Sequence, residues 1–211
     1  KGAYLKEEIP SFNLDQFQNW YYKSGTPKVN IIQSWDPKNS TLNISFEQNL
    51  RSEFDDQNID MVIPILYSCY STNPDHEIIV EDGLFVLDKQ KMDLTIKDIN
   101  CTKTPPVLSV FRGFSAPVIW TSDLSTDDYL FLFLNDNDYF TKWDSGQLLM
   151  REIIKGRIQN QIKSLLEDRF NNAIRMSIKD LERKDPYFLA SLISLPGLSE
   201  IENLFEKVNP N

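Results

Sequence analysis

The amino-acid sequence predicts a β-sandwich followed by a helical array, two domains in one chain. Two observations carry this. From about residue 28 to 121 apolar residues alternate with polar ones, the period of half-buried strands, and Gly, Pro, Asn and Asp punctuate the runs. After Thr121 the apolar spacing changes to three and four, which is the period of an amphipathic helix. The length agrees: 211 residues suit one large domain or two small ones, and a 41% hydrophobic, 12% aromatic composition is enough for a core.

Residues 13 to 24 read as a first helix. Asn13 or Ser11 can cap it, Asp15 sits in its first turn, and Phe17, Trp20 and Tyr21 recur at helical spacing. Gly25 suits a left-handed position after it, and Pro27 prevents continuation. Val29 and Ile31, then Leu42, Ile44 and Phe46, alternate as strands around the Asp36-Pro37-Lys38-Asn39 turn. Met61 to Tyr70 is a more buried strand in which Pro64 suggests an edge or a bulge. Glu77 to Val80 and Leu84 to Leu87 flank Asp82-Gly83, which reads as a tight hairpin turn. Met92 to Ile96, Val107 to Phe111 and Pro117 to Trp120 complete about seven or eight strands.

The helical half opens at Ser125-Thr126-Asp127-Asp128, a capping box ahead of Tyr129 to Leu134. Thr141 to Asp144 offers another cap. A long stripe follows, Leu149, Ile153, Ile154, Ile158, Ile162, Leu165 and Leu166, with Gly156 inside it at a cost of about 1 kcal/mol relative to Ala. Phe170, Ala173, Ile174, Ile178 and Leu181 form the next stripe. Asp185-Pro186 starts another helix with a cap and a first-position proline, and Leu195-Pro196-Gly197 ends it. Ser199 with Glu202 predicts a capping box for a last helix carrying Ile201, Leu204, Phe205 and Val208.

Four blocks stand out in order along the chain: Trp20 to Asn30 (WYYKSGTPKVN), Arg112 to Val118 (RGFSAPV), Asp136 to Leu149 (DNDYFTKWDSGQLL) and Asp185 to Ile201 (DPYFLASLISLPGLSEI). In sequence and spacing they resemble the aminopeptidase N family of bacteria and plants, in the region downstream of its catalytic domain. The resemblance implies an immunoglobulin-like β-sandwich followed by the opening helices of an α-helical superhelix. It divides the chain into a terminal helix of the catalytic domain with its linker (1–27), the sandwich (28–121) and a truncated helical domain (122–211). Its Trp143, Asp144 and Gln147 are expected to lock the first long helix against the β-domain.

Such a family member is a zinc-dependent alanyl aminopeptidase that removes N-terminal residues from peptides. Zinc polarises the scissile carbonyl and activates a water, and a glutamate serves as base. Its HExxH signature sets two imidazoles one helical turn apart. The one histidine here, His76, is followed by Glu77 but has Val80 four positions on. Ile201-Glu202-Asn203 echoes the family's GxMEN substrate motif, but Ser199 stands where its glycine belongs. The resemblance therefore implies no catalytic, cofactor-binding or metal residue on this chain, with zinc held elsewhere in a larger enzyme. The partners it implies are the missing catalytic domain, the remaining C-terminal helices and, through the whole enzyme, peptide substrates. The alternative expectation is a standalone protein-interaction module.

The remaining features exclude rather than assign. A net charge of −9 and a pI near 4.7 argue against nucleic acid. No run approaches the ~18 apolar residues of a membrane span, and Lys1 to Ser11 lacks the apolar core of a signal peptide. Cys69 and Cys101 read as reduced thiols, which predicts a cytoplasmic location. The sequons at Asn39, Asn43 and Asn100 are chance matches. Asp127, Asp128, Asp136, Asp138 and Asp144 do not follow the alternating spacing of a calcium loop, and read as helix caps. Lys155, Arg157 and Lys163 read as a solvated flank, and Ser115 and Ser145 lack a general base.

Overall fold

A computed structural model describes residues 13–52, 55–72, 78–99, 104–161, 163–202 and 204–205. His76, Cys101, Ile162, Asn203, Val208 and the Ser11 cap lie outside them. Between Asp123 and Leu124 the chain divides into two compact units.

The first described elements of the first unit are two helical turns, α1 (Leu14–Phe17) and α2 (Asn19–Tyr22), where the sequence suggests one longer helix. Asn13 is the cap, its side chain accepting from the Asp15 and Gln16 amides at 3.1 Å each. Trp20 lies half-buried against the sandwich core and its indole N–H donates to the Val62 carbonyl at 2.8 Å. Gln16 donates to the Asp88 carbonyl at 2.6 Å. Tyr21 and Tyr22 remain exposed. Gly25 takes φ +98°, as its position after the helix predicts.

Among the described residues nine strands follow: β1 (Lys28–Asp36), β2 (Thr41–Asn49), β3 (Arg51–Ser52), β4 (Asp55–Asn58), β5 (Ile63–Tyr70), β6 (Ile78–Leu87), β7 (Lys91–Ile96), β8 (Val107–Val110) and β9 (Ile119–Ser122). One sheet runs β7-β2-β1-β9 and the other β6-β5-β8, with β3-β4 a separate pair. β9 runs parallel to β1, and the other pairs are antiparallel. The alternating residues face one core: Val29, Ile31, Leu42, Ile44 and Phe46 from the first sheet meet Ile63, Ile65, Leu87 and Leu108 from the second. The Phe46 and Phe85 rings stack at 4.9 Å. The Asp36 turn forms as predicted, its carboxylate accepting from the Lys38 amide at 2.9 Å and the Asn39 side chain at 2.6 Å. These bonds hold the carboxyl below its ordinary pKa, the Asn39 side chain contributing most. Pro64 pairs with Val86 of β6, while β8 reaches only Tyr67 to Tyr70, so the proline sits where β5 has one neighbour.

Asp82-Gly83 departs from expectation. It makes no hairpin but lies inside the continuous strand β6, at a shift in register against β5. Asp82 takes φ +48°, so the dipeptide supplies its left-handed residue to a bulge instead of a turn. A Cβ at Gly83 would stand 2.5 Å from the Tyr67 ring, which explains the glycine.

The second unit is helical: α3 (Thr126–Asn135), α4 (Tyr139–Ile158), α5 (Ser164–Leu181), α6 (Pro186–Leu192) and α7 (Leu198–Glu202). The Ser125/Asp128 capping box is present, with bonds of 2.8 and 3.2 Å, and Asp185 caps α6 by accepting from the Phe188 amide at 2.9 Å. Leu130, Phe133, Leu149, Met150, Leu166, Phe170, Ala173 and Leu192 make the core.

Three expectations are corrected in this unit. The cap of α4 is Asp138, not a residue from Thr141 onward: its carboxylate accepts from the Thr141 amide at 2.8 Å and hydroxyl at 2.9 Å. Ser199 lies inside α7, which starts one residue earlier after Pro196-Gly197. The long stripe is also two helices, because α4 ends in a Schellman motif: the Gln161 amide donates to the Gly156 carbonyl at 2.7 Å, and that of Asn160 to Arg157 at 3.2 Å. Asn160 provides the left-handed residue, φ +55°, and Ile158 and Leu165 are left exposed.

Gly156 is therefore needed where helix propensity alone would disfavour it. A Cβ there would lie 2.7 Å from the Gln161 carbonyl oxygen, a backbone atom that cannot swing aside. Gly156→Ala is expected to lose about 1–3 kcal/mol, as overpacking does, against the ~1 kcal/mol gain that propensity gives. A stabilised variant in urea melts would show that the helix end relaxes freely.

Candidate functional site

Two polar centres, one in each unit, are the best-built groups of side chains among the described residues. In the β-unit, Arg112 is buried. Phe111, Gly113 and Phe114 around it all have positive φ, so the strand β8 turns sharply and directs the guanidinium inward. Its Nε donates to Asp82 at 3.1 Å and its Nη1 to the Tyr70 hydroxyl at 3.2 Å and the Ser109 hydroxyl at 3.3 Å. The arginine thus ties the bulge of β6 to β5 and β8. Ser115, which lacks a general base in the sequence, accepts from the Leu66 amide at 3.1 Å and so fixes the same loop to β5.

Gln48 gives no signal in the sequence, because a polar residue in an alternating run reads as outward-facing. It follows Leu42, Ile44 and Phe46 on the inner side and is fully buried. Its side chain donates to the Met61 and Lys89 carbonyls at 2.9 and 3.0 Å and accepts from the Met61 amide at 2.8 Å, joining three segments.

In the helical unit the block from Asp136 to Leu149 forms the corner between α3 and α4. Asp136 is buried and accepts from the Asp138 amide at 2.7 Å. Lys142 reaches back over the C-terminal end of α3 and donates to the carbonyls of Leu134 at 2.6 Å and Phe133 at 3.3 Å, groups that a helix end leaves unpaired. Gly146 passes close to the Phe133 ring, and Gln147 donates to the Ser194 carbonyl at 2.8 Å, tying α4 to the end of α6. Trp143 is half-buried, its ring 5.8 Å from Phe140, and the Tyr139 and Phe188 rings stack at 4.1 Å beside them.

Burial lowers the pKa of Lys142, and the charges of Asp136 and Asp180 offset part of that shift. A lysine whose folded pKa is lowered releases its proton before the unfolded chain does. Stability therefore rises with pH, from that lowered value up to the ordinary lysine pKa of about 10.4. The stability of the parent chain relative to Lys142→Met is expected to grow over this window in urea melts at stepped pH. A constant difference would mean that the ammonium is solvated.

The remaining candidates are held by local partners. Asp127 pairs with Arg169, Arg157 with Glu167, and Lys163 with Glu152 at 2.7 Å. Asp128 completes the capping box of Ser125, Asp138 caps α4, and Ser145 is buried within α4. Cys69 is buried in the core of the β-unit. Among the described residues, no three His, Cys, Asp or Glu side chains converge as a metal site would require. What these groups do chemically is satisfy buried backbone and fix corners.

Comparison with known proteins assigns both units. Residues 25–123 match DUF3458, a domain of unknown function with an Ig-like fold, and residues 126–211 match DUF3458_C, a domain of unknown function described as ARM repeats. Aminopeptidase N of Caulobacter vibrioides is 30% identical over 203 residues, covering 96% of this chain and 23% of the relative. Those of Haemophilus influenzae and Escherichia coli are 25% and 24% identical, each covering 97% of this chain and 24% of the relative. A crystal structure of Legionella pneumophila aminopeptidase A in complex with aspartic acid superposes with a TM-score of 0.77 at 21% identity, over 99% of this chain and 23% of that one, and shows the fold. The chain spans about a quarter of the length of its relatives. Its sandwich is Ig-like, its helices are of the repeat type, and by both domain matches and these relatives the chain belongs to the aminopeptidase N family.

Proposed function

We propose that this chain is the non-catalytic β-spacer and the start of the C-terminal helical domain of a zinc-dependent alanyl aminopeptidase that removes N-terminal residues from peptides. The observation that carries this is the coverage: nearly the whole chain aligns with proteins named aminopeptidase N, yet it accounts for only 23–24% of each. In this reading residues 1–27 close the catalytic domain, residues 28–121 are a rigid spacer, and residues 122–211 begin the helical domain that limits access to small peptides. Zinc and its ligands belong to the catalytic domain, and no residue here binds metal or takes part in the chemistry. The exposed Tyr21 and Tyr22 beside the Trp20 anchor, and Leu195 and Leu198 before and at the start of α7, are surfaces suited to those neighbours.

The acidic charge supports partners other than nucleic acid. Among the described residues no helix is long and apolar enough to cross a membrane. A reducing, cytoplasmic location is part of the same proposal.

The purified, untagged chain is expected to hold no stoichiometric zinc and to hydrolyse no aminoacyl arylamide. Tightly bound zinc with turnover that survives further purification would overturn the assignment. An antibody raised against this chain should detect, in its natural source, a polypeptide several times longer. A band at the size of the chain alone would favour the standalone interaction module.

A further inference from the structure

We draw no further inference here: the strongest candidate, the shallow aromatic cleft of Tyr139, Phe140, Trp143 and Phe188 on the helical unit, is an apolar face and nothing in the structure shows what covers it.

Discussion

Replacing Arg112 with leucine is expected to destabilise the β-unit by about 2–4 kcal/mol, because two buried hydroxyls lose the donor they face. Tyr70 and Ser109 are 1% and 0% exposed, so water does not readily replace the guanidinium. The ion pair itself contributes little to this loss. The Asp82 side chain is 68% exposed and returns to solvent at small cost once its partner is gone. Arg112→Lys should recover only part of the stability, since a single ammonium cannot reproduce the planar fork that spans three acceptors. Urea unfolding followed by tryptophan fluorescence is a suitable readout, since Trp20, Trp35 and Trp120 lie in the β-unit and only Trp143 in the helical one. A loss under about 0.5 kcal/mol, the range of surface substitutions, would mean that Arg112 does not hold the bulge.

The second large effect is expected in the helical unit. Phe133 is fully buried and meets Phe170 edge-on at 5.2 Å. Phe133→Ala should cost about 3–5 kcal/mol, the transfer of a large ring plus the cavity it leaves. Gly146 gives this prediction a sharper form. A Cβ at Gly146 would stand 3.0 Å from the Phe133 ring, so Gly146→Ala should destabilise the native chain by crowding. In a Phe133→Leu background the ring is gone and helix propensity takes over, so the same substitution should become neutral or stabilise by up to about 1 kcal/mol. Equal effects of Gly146→Ala in both backgrounds would show that the two residues do not touch.

The elements legible in the sequence are those whose hydrogen bonds close within a few residues. The Ser125/Asp128 box, the Asp185-Pro186 start and the Asp36 turn each bind partners two or three positions away, and each appears as the sequence predicts. The alternation of Val29, Ile31, Leu42, Ile44 and Phe46 likewise places one face of each strand in the core. The change of period after Thr121 falls beside the boundary between the two units. Four ordered blocks also sufficed to indicate the family that the comparisons establish.

Several departures from the local reading share a physical cause, which is competition from partners outside the element. Asp82-Gly83 has the chemistry of a hairpin, but β5 pairs along both sides of the dipeptide and Arg112 binds Asp82 from thirty positions away. Gln48 looks like an outward polar residue until Met61 and Lys89, from two other segments, offer their backbone to it. Lys142 reads as one more helix lysine, yet it closes the end of the preceding helix. The glycine penalty at Gly156 has the wrong sign because the chain doubles back onto that position at Gln161. The sequence by itself determined the order β then α, the inward faces, the starts of α1, α3 and α6 and the absence of a second imidazole beside His76. Only the tertiary structure decided which polar side chains go inside, because burial of a polar group is stable only where a partner from another segment satisfies it, and such partners are brought together only by folding.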